Sequence, residues 1–223
     1  MTPRRKNSEL TRARLLRAAE QCFADHGFNG VSLRHITKKA GVNLAAVNYH
    51  FSSKRELWLE VMRRRTELIN GVRTKLLAEV RAATPAGQTV SLEKLCEAFM
   101  LPIAQVSGKR SGSSAALAGI MTRSFTDPKS LRDEHRRRNL DQVIGKFRAM
   151  LAEALPTLTD EELDWNLYFM VSALIGAVAR QGRQAGVKGP LDTSDLEALM
   201  RRLAKFVSGG MKVGLPVPAE QTT

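Results

Sequence analysis

Residues 32–51 read "SLRHITKKAGVNLAAVNYHF", and the fold turns on what these positions form. Ser32 stands where a helix N-cap is expected, because its hydroxyl can accept from a backbone N–H two or three residues on. Leu33, Ile36 and Ala40 then give a short helix its buried side, and Gly41 ends it. Asn43 caps the next helix, with Val42 and Val47 placed as a hydrophobic staple across its start. Two short helices joined by "AGVN" at 40–43 have the dimensions of a helix-turn-helix, with residues 44–50 in the recognition position.

Working outward, Leu15, Ala19, Cys22 and Phe23 form the apolar stripe of a first helix that stops near His26 and Gly27. After Phe51, "SSKREL" supplies another N-cap and a long helix to about Ala83, with Leu57, Val61, Leu68, Val72, Leu76 and Val80 along one side. "TPAGQT" at 84–89 breaks it. A further helix is expected over about 91–106, then a loop-like "SGKRSGSSA" at 107–115, then helices near 115–125, 129–155, 160–186 and 192–210. The tail "GLPVPAEQTT", 214–223, is expected to be disordered. Alternating β-branched and aromatic runs are missing, so the fold class is all-α with about nine helices: a three-helix bundle carrying the helix-turn-helix over 1–53, and a larger helical body over 54–213.

Lys and Arg outnumber Asp and Glu by 35 to 22, a formal charge of +13 that favours a polyanionic partner. Residues 1–54 hold 10 − 3 = +7 of it and the remainder 25 − 19 = +6, so a quarter of the chain carries over half of the excess. Cys22 and Cys96 lie far apart among apolar neighbours and read as buried free thiols. The basic start "MTPRRKNSEL" has no apolar region behind it, which points to a cytoplasmic protein rather than a secreted one. The uncharged stretch "WNLYFMVSALIGAVA", 165–179, is shorter than the roughly 20 residues a membrane span needs. It reads as a helix buried from every side, and no membrane partner is expected.

With Val47 and Phe51 turned inward, the 100° step of a helix places Ala45 and Tyr49 outward and Ala46 and Asn48 on the flanks. Small side chains at 45 and 46, next to Leu44, let the backbone approach base edges, where alanine methyls meet thymine methyls; Asn48 offers the paired donor and acceptor that adenine presents in the major groove. Tyr49, His50 and Lys54 are placed for phosphates, together with the free N–H groups around Ser32 and at the start of the long helix, and Arg34 and Asn43 complete the candidate DNA-binding set. The same residues also suit a small helix packed into an ordinary bundle, with Tyr49 and His50 half-buried. Basic flanks at Arg4, Arg5, Lys6, Arg12, Arg14, Arg17, Arg34, Lys38 and Lys39 tilt the reading toward DNA.

Thr11 to Leu57, "TRARLLRAAEQCFADHGFNGVSLRHITKKAGVNLAAVNYHFSSKREL", strongly resembles the DNA-binding domain of TetR-family transcriptional repressors. The resemblance lies in Thr11-Arg12, Ala18-Ala19, Phe23, Gly27-Phe28, Ser32, Ile36, Ala40-Gly41-Val42, Tyr49-His50-Phe51, Lys54 and Leu57, in order and at the family's spacing. Within the family the run from Ser32 to Lys54 looks like the PsrA branch, whose better-known members sense long-chain fatty acids or acyl-CoA. The resemblance implies an all-α homodimer on a palindromic operator. It also implies a four-helix dimer interface from the last two helices and middle helices around a pocket for a small apolar effector, here a fatty acid or acyl-CoA. The Ser- and Gly-rich region 107–127 does not match that branch.

On residues alone, bulky Trp165, Phe169 and Met170 with small Ala173, Gly176 and Ala177 let a neighbouring helix approach closely, and Leu196, Leu199, Met200, Leu203 and Phe206 give the last helix a matching stripe. A two-fold pairing would cover both; burial within one chain fits the pattern equally. Met62, Phe99, Met100, Ile103, Met121, Phe125 and Phe147 are candidates to line a pocket or simply to form core, with Arg123 placed to meet a ligand's carboxylate or phosphate. Catalysis has no support: His26, His35, His50 and His135 lack metal spacing, and neither a nucleophile elbow nor a phosphate-cradling glycine loop is present. No cofactor is expected. The reading is a dimeric, sequence-specific repressor tuned by an apolar effector. The rivals are a non-enzymatic lipid or small-molecule binding protein and a ligand-blind architectural DNA-binding protein.

Overall fold

The computed structural model describes residues 3–108, 127–181 and 195–213, and these are all-α, with no strand among them. The helices are α1 (Pro3–His26), α2 (Leu33–Ala40), α3 (Leu44–Phe51), α4 (Lys54–Ala82), α5 (Leu92–Gly108), α6 (Lys129–Asn139), α7 (Asp141–Ala154), α8 (Asp160–Gln181) and α9 (Leu196–Val213). The expected helix at 115–125 and the tail 214–223 lie outside the described residues.

The chain forms two compact units. The first comprises 1–68 and 107–141, the second 69–106 and 142–223, so α4 contributes residues to both. In the first unit, Leu15, Ala19, Cys22 and Phe23 of α1 meet Ile36 of α2, Val47 and Phe51 of α3, and Leu57, Trp58 and Val61 of α4 in one core that also takes in Leu131 of α6. Burial of such side chains contributes roughly 1.5–3 kcal/mol each, which is what holds two eight-residue helices that would not persist alone.

α6 is fastened to this unit by polar contacts as well. The Phe28 N–H donates to the buried Asp127 carboxylate at 2.9 Å, Arg55 pairs with Glu134, and Arg138 lies 3.8 Å from Glu56. His135 sits inside: its Nε2 is 3.2 Å from Thr66 Oγ1, its Nδ1 3.1 Å from the Asn139 amide nitrogen, and the Trp58 ring meets it edge-on. An amide nitrogen only donates, so Nδ1 is the bare nitrogen and Nε2 carries the proton.

Three expectations need correction. The helix expected at 129–155 is two, because Asn139 turns its amide back onto the His135 carbonyl at 3.1 Å, competing with the ladder, and Asp141 starts a new first turn beyond Leu140. On α4 the expected line through Leu68, Val72, Leu76 and Val80 is not the buried one. Leu68 is exposed, and the buried line runs Thr66, Ile69, Arg73, Leu77, which two polar residues hide from an apolar reading. The uncharged stretch 165–179 is not covered on every side within the chain: Trp165, Tyr168 and Phe169 are exposed.

The second unit buries Leu95, Cys96, Phe99, Met100 and Ile103 of α5, Phe147 and Leu151 of α7, Met170 and Leu174 of α8, and Met200 and Ala204 of α9. Arg81–Glu153, at 2.5 Å, and Arg148 with Asp160 and Asp164, at 2.8 and 2.7 Å, tie its surface. Both cysteines are buried free thiols; burial raises the Cys22 pKa and pushes Cys96 up to about 12, so neither is a thiolate at neutral pH.

Candidate nucleic-acid interface

The turn between α2 and α3 forms by the chemistry its residues carry. Ser32 Oγ accepts the His35 N–H at 3.1 Å, and Asn43 Oδ1 accepts the Ala46 N–H at 3.0 Å. Gly41 closes α2 in the left-handed region, φ 64°, where its N–H reaches the Lys38 carbonyl and the next N–H, of Val42, reaches that of Thr37. Ser52 ends α3 at φ 56°, and Ser53 Oγ accepts the Glu56 N–H at 3.1 Å to start α4.

On α3 the buried positions are Val47 and Phe51. Leu44, Ala45, Asn48 and Tyr49 are exposed, Tyr49 to 79%, and Ala46 and His50 half-buried. A bundle-packed α3 requires Tyr49 to be partly covered, and instead it stands open. Tyr49 meets His50 edge-on at 4.9 Å. Burial, then the positive charge of Arg12, lowers the His50 pKa, so its imidazole is neutral at pH 7 and offers hydrogen bonds rather than charge.

How far α1 extends is visible only in the structure. It begins at Pro3, a residue suited to a first helical position, and its opening turns run beside α3. Arg5, Asn7, Ser8 and Thr11 with Ala45, Ala46, Tyr49 and His50 line an open cleft of about 640 Å³. Asn7 and Ser8 carry no motif that marks them; the signal for them is the polar, basic run preceding Leu15.

The basic flank divides into engaged and open cations. Arg12 pairs with Glu60 at 2.5 Å and stands 5.3 Å over the Phe51 ring. Glu60 is held down to about 2 by its hydrogen bond to Arg63, against opposing burial, with Arg12 adding to the effect. Lys39 lies 3.9 Å from Asp25. Arg5, Lys6, Arg14, Arg17, Arg34 and Lys38 are exposed and make no ion pair among the described residues. The Lys54 ammonium sits 4.4 Å over the Phe28 ring, half-buried, and burial lowers its pKa; it packs the loop after α1 as well as facing outward.

The other expected sites are placed unevenly. Phe99, Met100, Ile103 and Phe147 are buried in the second unit, with Phe99 and Phe147 in ring contact at 4.4 Å. Met62 packs against the first unit's core. Met121, Arg123 and Phe125 lie outside the described residues. Of the residues expected to pair two chains, Trp165, Phe169 and Phe206 are exposed, and Ala173, Ala177, Leu199 and Leu203 are not buried within the chain either. An added Cβ at Gly176 would meet nothing within 4 Å, so that position is open as well. The line of α9 buried within the chain is Met200, Ala204, Ser208 and Met211, so of the expected pairing residues Met200 packs inward, as Met170 does on α8.

Residues 15–61 match the family model "Bacterial regulatory proteins, tetR family", and residues 97–210 match "Tetracyclin repressor-like, C-terminal domain". Among curated proteins, the chain is 41% identical over 66 residues to the HTH-type transcriptional activator FasR of Mycolicibacterium smegmatis, 29% of this chain and 30% of that protein. It is 37% identical over 59 residues to the HTH-type transcriptional repressor AcnR of Corynebacterium diphtheriae, 26% of this chain and 31% of that protein. These matches therefore span under a third of either relative's length. Among solved structures, the fatty acid degradation regulator FadR from Bacillus halodurans superposes with TM-score 0.64 at 16% identity, covering 94% of this chain and 97% of that one. The TetR family transcriptional regulator PfmR from Thermus thermophilus gives 0.59 at 16% identity, covering 88% and 97%. At that identity the likeness is one of fold. Among the described residues no helix is long and apolar enough to cross a membrane. With one family model on the helix-turn-helix and another on half of the chain behind it, the chain belongs to the TetR family of bacterial transcriptional regulators, which bind DNA and are not enzymes.

Proposed function

We propose that the chain acts as a homodimeric repressor that places two copies of α3 in successive major grooves of a near-palindromic operator and is released from or tuned on that operator by a small apolar effector. The observation that carries this is the split of α3 into a buried side, Val47 and Phe51, and an open side of Ala45, Asn48 and Tyr49 flanked by the exposed cations Arg5, Arg34 and Lys38. Ala45 and Asn48 read base edges; Tyr49, His50, Arg34, Lys54 and the N-termini of α2 and α4 take phosphates. Residues 1–53 are the DNA-binding domain and 54–213 the ligand-binding and pairing domain.

Pairing uses the exposed apolar sides of α8 and α9, which the chain's own packing leaves open. Two-fold symmetry then sets the half-sites about 34–36 Å apart. The effector acts through α4, whose residues belong to both units, and through the α6 contacts to Phe28, Arg55 and Thr66. Differential affinity for two arrangements is what ligand control requires, typically about 1–3 kcal/mol. Repression needs no surface beyond the DNA-binding one, since occupancy of a promoter blocks it.

The test is selection of duplexes from a random pool by the purified protein, followed by sedimentation of the complex. A two-fold-symmetric motif with half-sites spaced by about one DNA turn, bound by an even number of chains, is expected. Enrichment of no motif would refute it.

A further inference from the structure

Arg73 lies in the C-terminal half of α4, in the second unit, and is only 5% exposed. Its Nε–H donates to the Phe99 carbonyl at 2.9 Å, Nη1 donates to Asn70 Oδ1 at 2.9 Å, and the guanidinium carbon stands 3.9 Å from the centre of the Phe99 ring. Phe147 packs on the same ring. α5 has Pro102 in its interior, where it has no N–H to give the Ala98 carbonyl four residues back; the Phe99 carbonyl that Arg73 takes is the next one along.

A guanidinium carries five N–H donors, and only two are served by the described residues. No carboxylate pairs with Arg73 among those residues either. Burial is the one influence on its pKa, pushing it down to about 10, so the group stays cationic at neutral pH. Arginine is almost never this buried without an anionic partner, because desolvating an unpaired charge is costly. Two carbonyl oxygens and a ring face are a weak substitute for a counterion. Elsewhere in the chain even the more exposed Arg12, Arg63 and Arg148 each hold a carboxylate.

We propose that Arg73 anchors the carboxylate of the regulator's effector, with Phe99 and Phe147 walling the apolar body that carries it. A planar fork with free donors fits a carboxylate by two parallel hydrogen bonds, and the aromatic pair beside it fits the rest of an apolar acid. This rests on the effector control proposed above. The sequence points to Arg123 for an anion; Arg73, inside "NGVRTKLL", has no motif to mark it.

The experiment measures binding of hexanoate, palmitate and 2-naphthoate, each against its uncharged alcohol, and of palmitoyl-CoA, to the full chain and to Arg73→Met and Arg73→Lys. At least one acid is expected to bind the native chain more tightly than its alcohol. Arg73→Met should weaken that acid by about tenfold to a hundredfold, the range for hydrogen bonds to a charged group, leave the alcohol unchanged, and be partly rescued by Arg73→Lys. Equal binding of every acid and its alcohol by the native chain overturns the proposal without need of a variant. So does binding of no acid, binding of palmitoyl-CoA alone, or undiminished acid binding in a folded Arg73→Met. Operator release is read separately: an acid that binds through Arg73 but leaves the operator complex intact keeps the anchor and removes the control.

Discussion

At the scale of single residues, Gly41 shows how local chemistry sets the interface. Its φ of 64° lies where a Cβ is strained by about 1–2 kcal/mol, and an added Cβ would also stand 2.8 Å from the Arg14 guanidinium. The guanidinium is the free end of a flexible side chain and can swing, so the backbone term decides. Gly41→Ala should lower unfolding stability by about 1–2 kcal/mol, read from the denaturant midpoint at unchanged slope. A neutral result would mean that the turn tolerates another geometry, and α3 would then lose its fixed presentation. In the proposed complex Arg34 and Asn48 divide the contact with DNA: an exposed cation near a helix start serves position, and an amide on the open side of α3 serves sequence.

At the scale of elements, α6 is the piece whose attachment is most sensitive to protonation. Burial holds His135 down at about 4 from an ordinary 6.5, so the folded state keeps the imidazole neutral while the unfolded chain protonates below 6.5. A lowered folded pKa means that stability is full above 6.5 and is lost as pH falls toward 4. Glu60, held down to about 2 from 4.5, adds its own loss only below 4.5. Between pH 6.5 and 4.5 the melting temperature should therefore decline, and His135→Gln should flatten most of that decline, leaving the part due to His50, whose pKa is also lowered, and the Glu60 loss below 4.5. An equal slope in both proteins would show that His135 does not set it.

Much of this level is readable from the chain alone. Ser32, Gly41 and Asn43 bond only to backbone groups a few residues away, so their helix ends follow from neighbours in the chain. Thr66 and Arg73 escape an apolar reading because their burial answers to His135 and Phe99, 69 and 26 residues away, which no periodicity within α4 reveals. The division of 129–155 at Leu140 has a related cause, a side chain turned onto its own helix. The cleft beside α3 goes unmarked because a polar first turn reads as a frayed end until something is seen to pack along it.

At the scale of the whole molecule, the apolar surface left on α8 and α9 is a large feature that the chain does not use itself. Trp165, Tyr168 and Phe169 pack among themselves at 5.7–5.8 Å and face outward, and Phe206 is 77% exposed. Phe206→Glu places a charge on that surface without touching the buried line of α9. It should shift the sedimenting species from dimer to monomer at micromolar concentration and cut operator affinity severely, since one half-site alone holds the protein. A variant that remains dimeric would move the pairing surface elsewhere. Whether α3 reads sequence while its flanks hold phosphate is decided by titrating the native chain, Asn48→Ala and Arg34→Ala against the selected operator and a random duplex over a range of salt. Asn48→Ala is expected to lose about 1–3 kcal/mol on the operator alone, whereas Arg34→Ala weakens both duplexes alike and lowers the salt slope by about one. Equal losses on both duplexes for both variants, with the slope unchanged, would contradict it.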